Sequence, residues 1–342
     1  MKSVLFPSVI ENHDNALQSA INNLVDGIKI HQNGSQYIVG NLALEEGVSP
    51  HKIVNANPQD TDYQVLAGSG LLLLSQYMKA PVTLTVGFPY ATYKANQDAA
   101  VQYFKGKHDI MFDTFSFGKT RTNKVAVEVD RVEVIPEILG CSLAIRNERK
   151  GSPEFFVVSI GYGTFEACLT NKNGITERTL ISGPGIRYAI NQAMRELKKQ
   201  YYLDLRTEHQ FDKNFQMGKI IINRRPHDIT EIRAKAIQSY YDEIISPSLR
   251  NVWKDDDFMH TNLLFLTGGG SLYPELLECF RKEFDGILET SLVDDPTTSA
   301  SRGYAIWSNR INDDKSAAAG MDIGNAQTVV TFFENKSENE EF

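Results

Sequence analysis

Cysteine is scarce: Cys141, Cys168 and Cys279 are the three in 342 residues. So few, so scattered, exclude a disulfide framework and fit reduced core thiols in a cytoplasmic protein. No apolar run approaches the roughly 18 residues that a membrane-spanning helix needs, and the greasiest stretch, residues 70–76, is far too short. The first residues lack the apolar core of a signal peptide. Seven histidines show neither HxxxH nor HExxH spacing and no pairing with the cysteines, which argues against a metal centre built from side chains. Positive charge is short as well. A net charge of −8 disfavours extended direct contact with nucleic acid or an anionic membrane, so any role at DNA would run through a basic partner.

What is present is ordinary globular material, 42% hydrophobic and 23% charged, long enough for two domains. Residues 4–10 read as a strand entering a turn. Residues 27–40 read as a hairpin about Asn33-Gly34, the strongest short-range hairpin signal. A helix is expected over 61–78, a buried strand over 82–88, a helix over 96–104, strands over 110–117 and 124–134, and a short helix after Pro136. After a polar linker at 146–152 the pattern restarts. Strands are expected at 155–160, 165–169 and 179–181, helices at 186–202 and 228–245, a strand at 263–267 and helices at 274–284 and from Ser299. Strands alternating with helices, twice over, predict two α/β halves. The expected division is a first domain of 1–150 plus 301–342, with a small subdomain near 11–60. The second is 151–300, with a small subdomain near 200–260. Residues 316–320 read as a linker, Met321 as a former start, and 334–342 as an acidic end.

Three glycine-rich turns carry the candidate chemistry. Asp322, Gly324, Asn325, Ala326, Gln327 and Thr328 form a tight turn between two strand-like runs, where successive backbone N–H groups can face an anion. The Asp before such a turn can hold a water of a bound Mg2+. A plain hairpin is the equal alternative on this motif alone. Ser159, Gly161, Tyr162, Gly163, Thr164 and Glu166 repeat the form of strand, glycine turn, Thr and strand. Two such hairpins facing each other would clamp a nucleotide tail between two domains. Gly268, Gly269 and Gly270 follow a buried strand and precede a helix, where close backbone approach and the helix N-terminus favour a phosphate.

In this order, with Val134-Ile135-Pro136-Glu137 between the halves, the motifs resemble the actin, Hsp70 and sugar-kinase superfamily. Within it they look most like the plasmid-segregation actins, the ParM-like group. The resemblance covers nearly the whole chain: Phe6-Pro7-Ser8, residues 37–43, Val86-Gly87-Phe88-Pro89, Pro136-Glu137, Thr267 to Gly270 and Ala300 to Tyr304 all take part. It implies an α/β, actin-like (ribonuclease H-like) two-domain fold with a nucleotide cleft. One feature breaks the family order, since the first phosphate hairpin comes last; joining Phe342 to Lys2 restores it. The chain is therefore expected to be circularly permuted, and the linker-like 316–320 points to an engineered join.

By resemblance, Glu137 orients the attacking water and Asp322 supports Mg2+ through water. Gly324 to Thr328 and Gly161 to Thr164 bind phosphates, Gly268 to Gly270 contact the α-phosphate and adenosine, and Arg302 joins the nucleotide set. Ser159 departs from the pattern: the family places an acid there, so hydrolysis is expected to be slow, while Glu166 keeps a carboxylate nearby. The implied function is a Mg2+-dependent ATPase (ATP/ADP, with GTP possible). It forms filaments of itself and separates plasmid DNA through a centromere-binding adaptor, touching DNA only indirectly and no membrane. The alternatives are a non-polymerising ATP-binding scaffold and a small-molecule kinase of the same superfamily. Arg224-Arg225 read as a solvated strand end, Asp255 to Asp257 as a solvated loop, and Tyr201, Tyr202, Tyr240 and Tyr241 as packing.

Overall fold

The structure is a computed structural model that describes residues 1–13, 23–52, 56–78, 81–116, 119–149, 154–201, 208–312 and 314–334. Residues 150–152 of the linker, Tyr202 and the acidic end from 335 lie outside the described residues. The chain divides into two compact units, one of Met1–Asn147 with Thr298–Phe342 and one of Glu148–Thr297. Among the described residues no helix is long and apolar enough to cross a membrane.

The first unit is built on a ten-stranded sheet. Its order is Lys2–Pro7, Gln327–Phe332, Ala318–Ile323, Val82–Phe88, Lys119–Pro136, Gly106–Ser116, Lys29–Gln32, Ser35–Val39, Val9–Asn12 and His51–Lys52. The C-terminal hairpin thus lies inside the sheet. Its outer strand pairs antiparallel with the N-terminal strand, Lys2 opposite Phe332 and Pro7 opposite Gln327. Its inner strand runs parallel to Val82–Phe88, with Ala318 opposite Thr83 and Met321 opposite Val86.

That placement overturns the linker reading. Residues 318–320 are a buried central strand, and Lys315–Ala317 is a single 3-10 turn before it. Their smallness is a packing demand: a Cβ on Gly320 would meet the Ser301 carbonyl at 2.3 Å and the Ala305 nitrogen at 2.4 Å. Larger residues would push the helix Ser299–Ile311 off the sheet. The polar residues 146–148 are likewise no linker, since they end the helix Glu137–Glu148.

The helix Thr61–Leu74 is apolar on nearly every face because it is covered on nearly every face, and residues 65–74 are all buried. At the hairpin after residue 28, Asn33 and Gly34 take φ of 51° and 82°, the primed turn that matches strand twist. Tyr90–Phe104 starts six residues earlier than the sequence pattern indicated, directly after Pro89, whose carbonyl accepts the first helical bonds.

The second unit has a six-stranded sheet. Its order is Gly174–Ile175, Thr164–Asn171, Phe155–Ile160, Leu263–Thr267 and Glu289–Leu292, with Ile181–Pro184 also paired to Thr164–Asn171. Phe155–Ile160 is buried at all six positions, which is why it reads as a continuous apolar run rather than an alternating one. The helix Thr230–Tyr240 passes through a π turn, Tyr241–Ile245, into Ser246–Val252. Pro247 has no N–H to give the preceding turn, and the wider turn just upstream accommodates it. Asp257 is not solvated as the triple-Asp run implied. It is fully buried, it accepts the Lys254 backbone N–H at 2.8 Å, and it forms an ion pair with Arg178.

Candidate functional site

In the first unit three neighbouring parallel strands end together. Met321 lies beside Val86, and Phe88 beside Pro136, so Asp322, Gly87 and Glu137 share the carboxyl end of the sheet. Carboxyl ends of parallel strands are where open α/β sheets hold ligands. Asp322 and Glu137 are both half-buried. Burial pushes the Asp322 carboxyl well above the usual carboxylate range, and the nearby Glu137 carboxylate pushes it further the same way.

The turn above Asp322 is closed by the Gly324 N–H, which donates to the Gln327 carbonyl at 3.0 Å. A Cβ on Gly324 would meet that same carbonyl at 3.2 Å. From the other side the Ser8 N–H donates to the Ala326 carbonyl at 2.9 Å. Thr328 is fully buried beneath the turn, with its hydroxyl 2.9 Å from that of Ser8. A second hydroxyl run ties the hairpin to the helix Ser299–Ile311: Thr331 lies 2.8 Å from both Ser3 and Ser301. Arg302, in the first turn of that helix, is half-buried and reaches the Ser299 hydroxyl at 3.4 Å.

The second unit repeats the turn. Here the Gly161 N–H donates to the Thr164 carbonyl at 2.8 Å, and a Cβ on Gly161 would meet that oxygen at 3.1 Å. The carbonyls of Gly161, Tyr162 and Gly163 accept from the N–H groups of Ile186, Arg187 and Gly185 at 3.1, 3.0 and 3.0 Å. With the carbonyls engaged on that side, the trans peptide planes direct the following N–H groups the opposite way. Such a fixed set of amides attracts an anion. Gly185 is essential to this clamp, because a Cβ there would sit 2.5 Å from the Gly161 carbonyl. Sequence reasoning passed over it, although Gly183-Pro184-Gly185 was the available signal. Behind the turn Ser159 faces Glu166 across the strand pair, both almost wholly buried. Glu166 thus supplies a carboxylate beside the position where Ser159 supplies none.

The glycine triplet divides its labour. Gly268 holds φ 80°, ψ 160°, a backbone region open to glycine alone, and a Cβ there would lie 2.5 Å from the Ile160 carbonyl. Gly270 has the same constraint, 2.4 Å from the Ile160 side chain. Both exist to seat the loop on the end of the Phe155–Ile160 strand. Gly269 is exposed, with one atom, Thr297 Cγ2, within 4 Å of its Cβ position at 3.9 Å.

For a metal, the donor set in the first unit is Asp322 with Glu137, two oxygen-bearing groups near each other at a sheet end. Among the described residues no group of three or more His, Cys, Asp or Glu could hold an ion. The fit is to a hard cation that keeps water and phosphate ligands, as Mg2+ does. A dication there would also offset the burial, and the Glu137 charge, that together raise Asp322.

Residues 1–140 match the family described as actin-like proteins, N-terminal domain. No curated protein sequence matches the chain. Among solved structures the fold is similar to the archaeal actin homologue Ta0583, at 16% identity and TM-score 0.70, over 90% of this chain and 93% of that one. It is equally similar to the ParM of Clostridium botulinum solved as a 15-stranded filament, at 19% identity and TM-score 0.70, over 90% and 93%. Bacillus thuringiensis ParM with AMPPNP follows at 14% identity and TM-score 0.59, over 90% and 91%. The chain therefore has an actin-like fold, and residues 1–140 match the actin-like N-terminal domain family.

Proposed function

We propose that this chain is a nucleotide-dependent filament protein: it binds ATP or ADP, hydrolyses ATP and assembles with copies of itself. The observation that carries the reading is the repeated turn. Gly324 and Gly161 each donate across two residues to close the same tight turn at the end of a buried strand, one in each unit. Two identical anion-directed turns, each with a carboxylate on or beside its strand, suit a chain of phosphates better than any apolar substrate. The solved relatives with ADP and with AMPPNP support the choice of nucleotide.

In this reading Asp322 would hold Mg2+ through water, and the ion, when bound, would screen phosphate charge. Glu137 holds the attacking water in line and accepts its proton as the water oxygen bonds to the γ-phosphorus and the bond to the β–γ bridging oxygen breaks, releasing phosphate and ADP. The amides of Tyr162, Gly163 and Thr164 and those of the Gly324–Gln327 turn bind phosphate oxygens. Gly269, the open member of its triplet, admits the α-phosphate and adenosine, and Arg302 completes the set. Ser159 leaves one acidic position empty of charge, so turnover is slow. The ParM filament among the relatives supports self-association. Plasmid segregation through a basic, centromere-binding adaptor, in the cytoplasm, completes the proposal, as does a circularly permuted order of the phosphate hairpin.

The test is ATP-dependent light scattering with negative-stain microscopy, run beside an equilibrium nucleotide-binding assay. Tight ATP binding without polymer would leave the scaffold reading; absence of nucleotide binding would overturn the whole.

A further inference from the structure

Charge is unevenly spread along the chain. Residues 187–235 hold eleven Lys and Arg against six Asp and Glu, in a protein whose net charge is −8. The excess gathers around the hairpin Lys219–Ile222 with Arg225–Asp228. Lys213, Lys219, Arg224 and Arg225 are exposed there. Lys198 and Lys199 join them from the last turn of the helix Arg187–Tyr201, whose Tyr201 ring meets His227 of the hairpin at 5.3 Å. Among the described residues none of these six cations forms an ion pair. Nearby acids are few: Asp228 lies across the hairpin from Lys219 and is engaged by the Thr230 N–H and hydroxyl, Glu196 by Gln200, and Glu231 is exposed.

The hairpin buries Ile220 and Ile222 and leaves Ile221 74% exposed, next to Met217 at 55%. An apolar centre inside a charged rim has the anatomy of a protein interface, whereas nucleic-acid surfaces are on average more polar.

The same chain carries an oppositely charged counterpart. Val48 is 89% exposed, beside exposed Leu44, Glu45 and Glu46. The loop is held in place: both oxygens of the Glu11 carboxylate accept backbone N–H groups, from Val48 at 3.0 Å and Ser49 at 2.8 Å. Gly47 fits because a Cβ would meet the Ala43 carbonyl at 2.3 Å. A prefixed apolar tip flanked by acids loses little freedom on docking.

We infer that the Lys219–Asp228 hairpin of one copy docks the Leu44–Val48 loop of another, joining copies head to tail through Ile221 and Val48 inside a ring of opposite charges. Such a contact uses two different surfaces, so each copy that docks leaves a further hairpin and a further loop with which the next copy can pair. The inference rests on the self-assembly reading and names its contact.

The test is charge reversal in the full chain, with ATP and Mg2+ present and assembly read by sedimentation. Arg224→Asp with Arg225→Glu is one variant; Asp suits position 224 because its backbone is left-handed, φ 64°. Glu45→Lys with Glu46→Lys is the other. Each is expected to raise the critical concentration at least about tenfold while nucleotide binding stays unchanged. Mixing the two variants is expected to restore assembly, because each supplies the charge the other needs; failure of the mixture to recover would overturn a contact between copies. Assembly of the unaltered protein should weaken as salt rises. If the unaltered protein assembles and the variants match it, this inference alone fails. If no self-association occurs at any salt, both readings fall together. Retention of the polymer with loss of binding to a DNA duplex probe would reassign the hairpin to nucleic acid and overturn it too.

Discussion

A Cβ built on Gly303 would lie 1.8 Å from the carbonyl oxygen of Gly140. The helices Glu137–Glu148 and Ser299–Ile311, which carry the chain out of and back into the first unit, therefore touch backbone to backbone. Tyr304 fills the space beside the crossing. It is fully buried against Gly87, Gly140 and Gly320, and a Cβ on any of the three would strike it, at 1.9 to 2.7 Å. This slot fixes where Glu137 begins its helix, and so where its carboxylate stands relative to Asp322.

Gly303→Ala is accordingly expected to destabilise the protein by about 1–3 kcal/mol, the usual cost of forcing extra volume into a packed contact. Gly286→Ala is the control for a glycine that costs only backbone strain, because at φ 70° it has nothing within 4 Å of its Cβ position. Urea unfolding of both variants checks this. The first should also weaken nucleotide binding, and the second should not.

The features legible in the sequence were those with local causes. A glycine turn between β-branched runs announces itself at Gly324 and Gly161, and Asn33-Gly34 does the same for its hairpin, because each is decided by four or five consecutive residues. Residues 316–320 were misread for the opposite reason. Small residues look like a linker unless the helix that presses on them, 299–311, is known to be there. Gly185 was silent, its partners lying more than 20 residues away, and the segment ending at Tyr304 was read without its packing partners Gly87 and Gly140, more than 150 residues away. The buried state of Asp257 depended on Arg178, 79 residues distant. The hairpin after Met217 escaped notice because Asn223 and Arg224, with φ of 49° and 64°, form its turn without a glycine.

Glu137→Gln is expected to leave ATP affinity near that of the parent and lower the hydrolysis rate by about 100-fold or more, the range for losing a positioned general base. Asp322→Asn should instead weaken nucleotide binding when Mg2+ is present and alter it little in EDTA. Isothermal titration with and without the metal, beside single-turnover hydrolysis, separates the two roles. Equal loss of hydrolysis and binding in both variants would count against the division.

Acid sensitivity should trace partly to Asp257. Burial alone would raise its carboxyl, but hydrogen bonds from Arg178 and the Lys254 amide outweigh burial and hold it below its ordinary value of 3.8. A depressed carboxyl stabilises the fold above its unfolded pKa, and that contribution disappears as pH falls through the lower folded value. Arg178→Met, which removes the donor, should lower stability at neutral pH. The gap between variant and parent should close as pH drops below about 4. Thermal melts across pH 3 to 7 measure it, and a constant gap would mean that Asp257 is not the titrating partner.

Ser159→Asp tests the position where the proposed function calls for an acid and this chain has a serine. The new carboxylate would stand almost fully buried and directly across the strand pair from Glu166. Without a cation, two acids so placed repel, and the melting temperature should fall relative to the parent. If the proposed function is right and Mg2+ with nucleotide reaches this position, the added charge would be offset, and the ligand-induced rise in melting temperature should exceed the parent's. The two shifts have opposite signs, so a merely damaged fold cannot mimic them. A variant that melts lower in the apo form and gains no more from Mg2+ and ATP than the parent would place the metal away from Ser159. It would leave Asp322 and Glu137 as the whole of the acidic site.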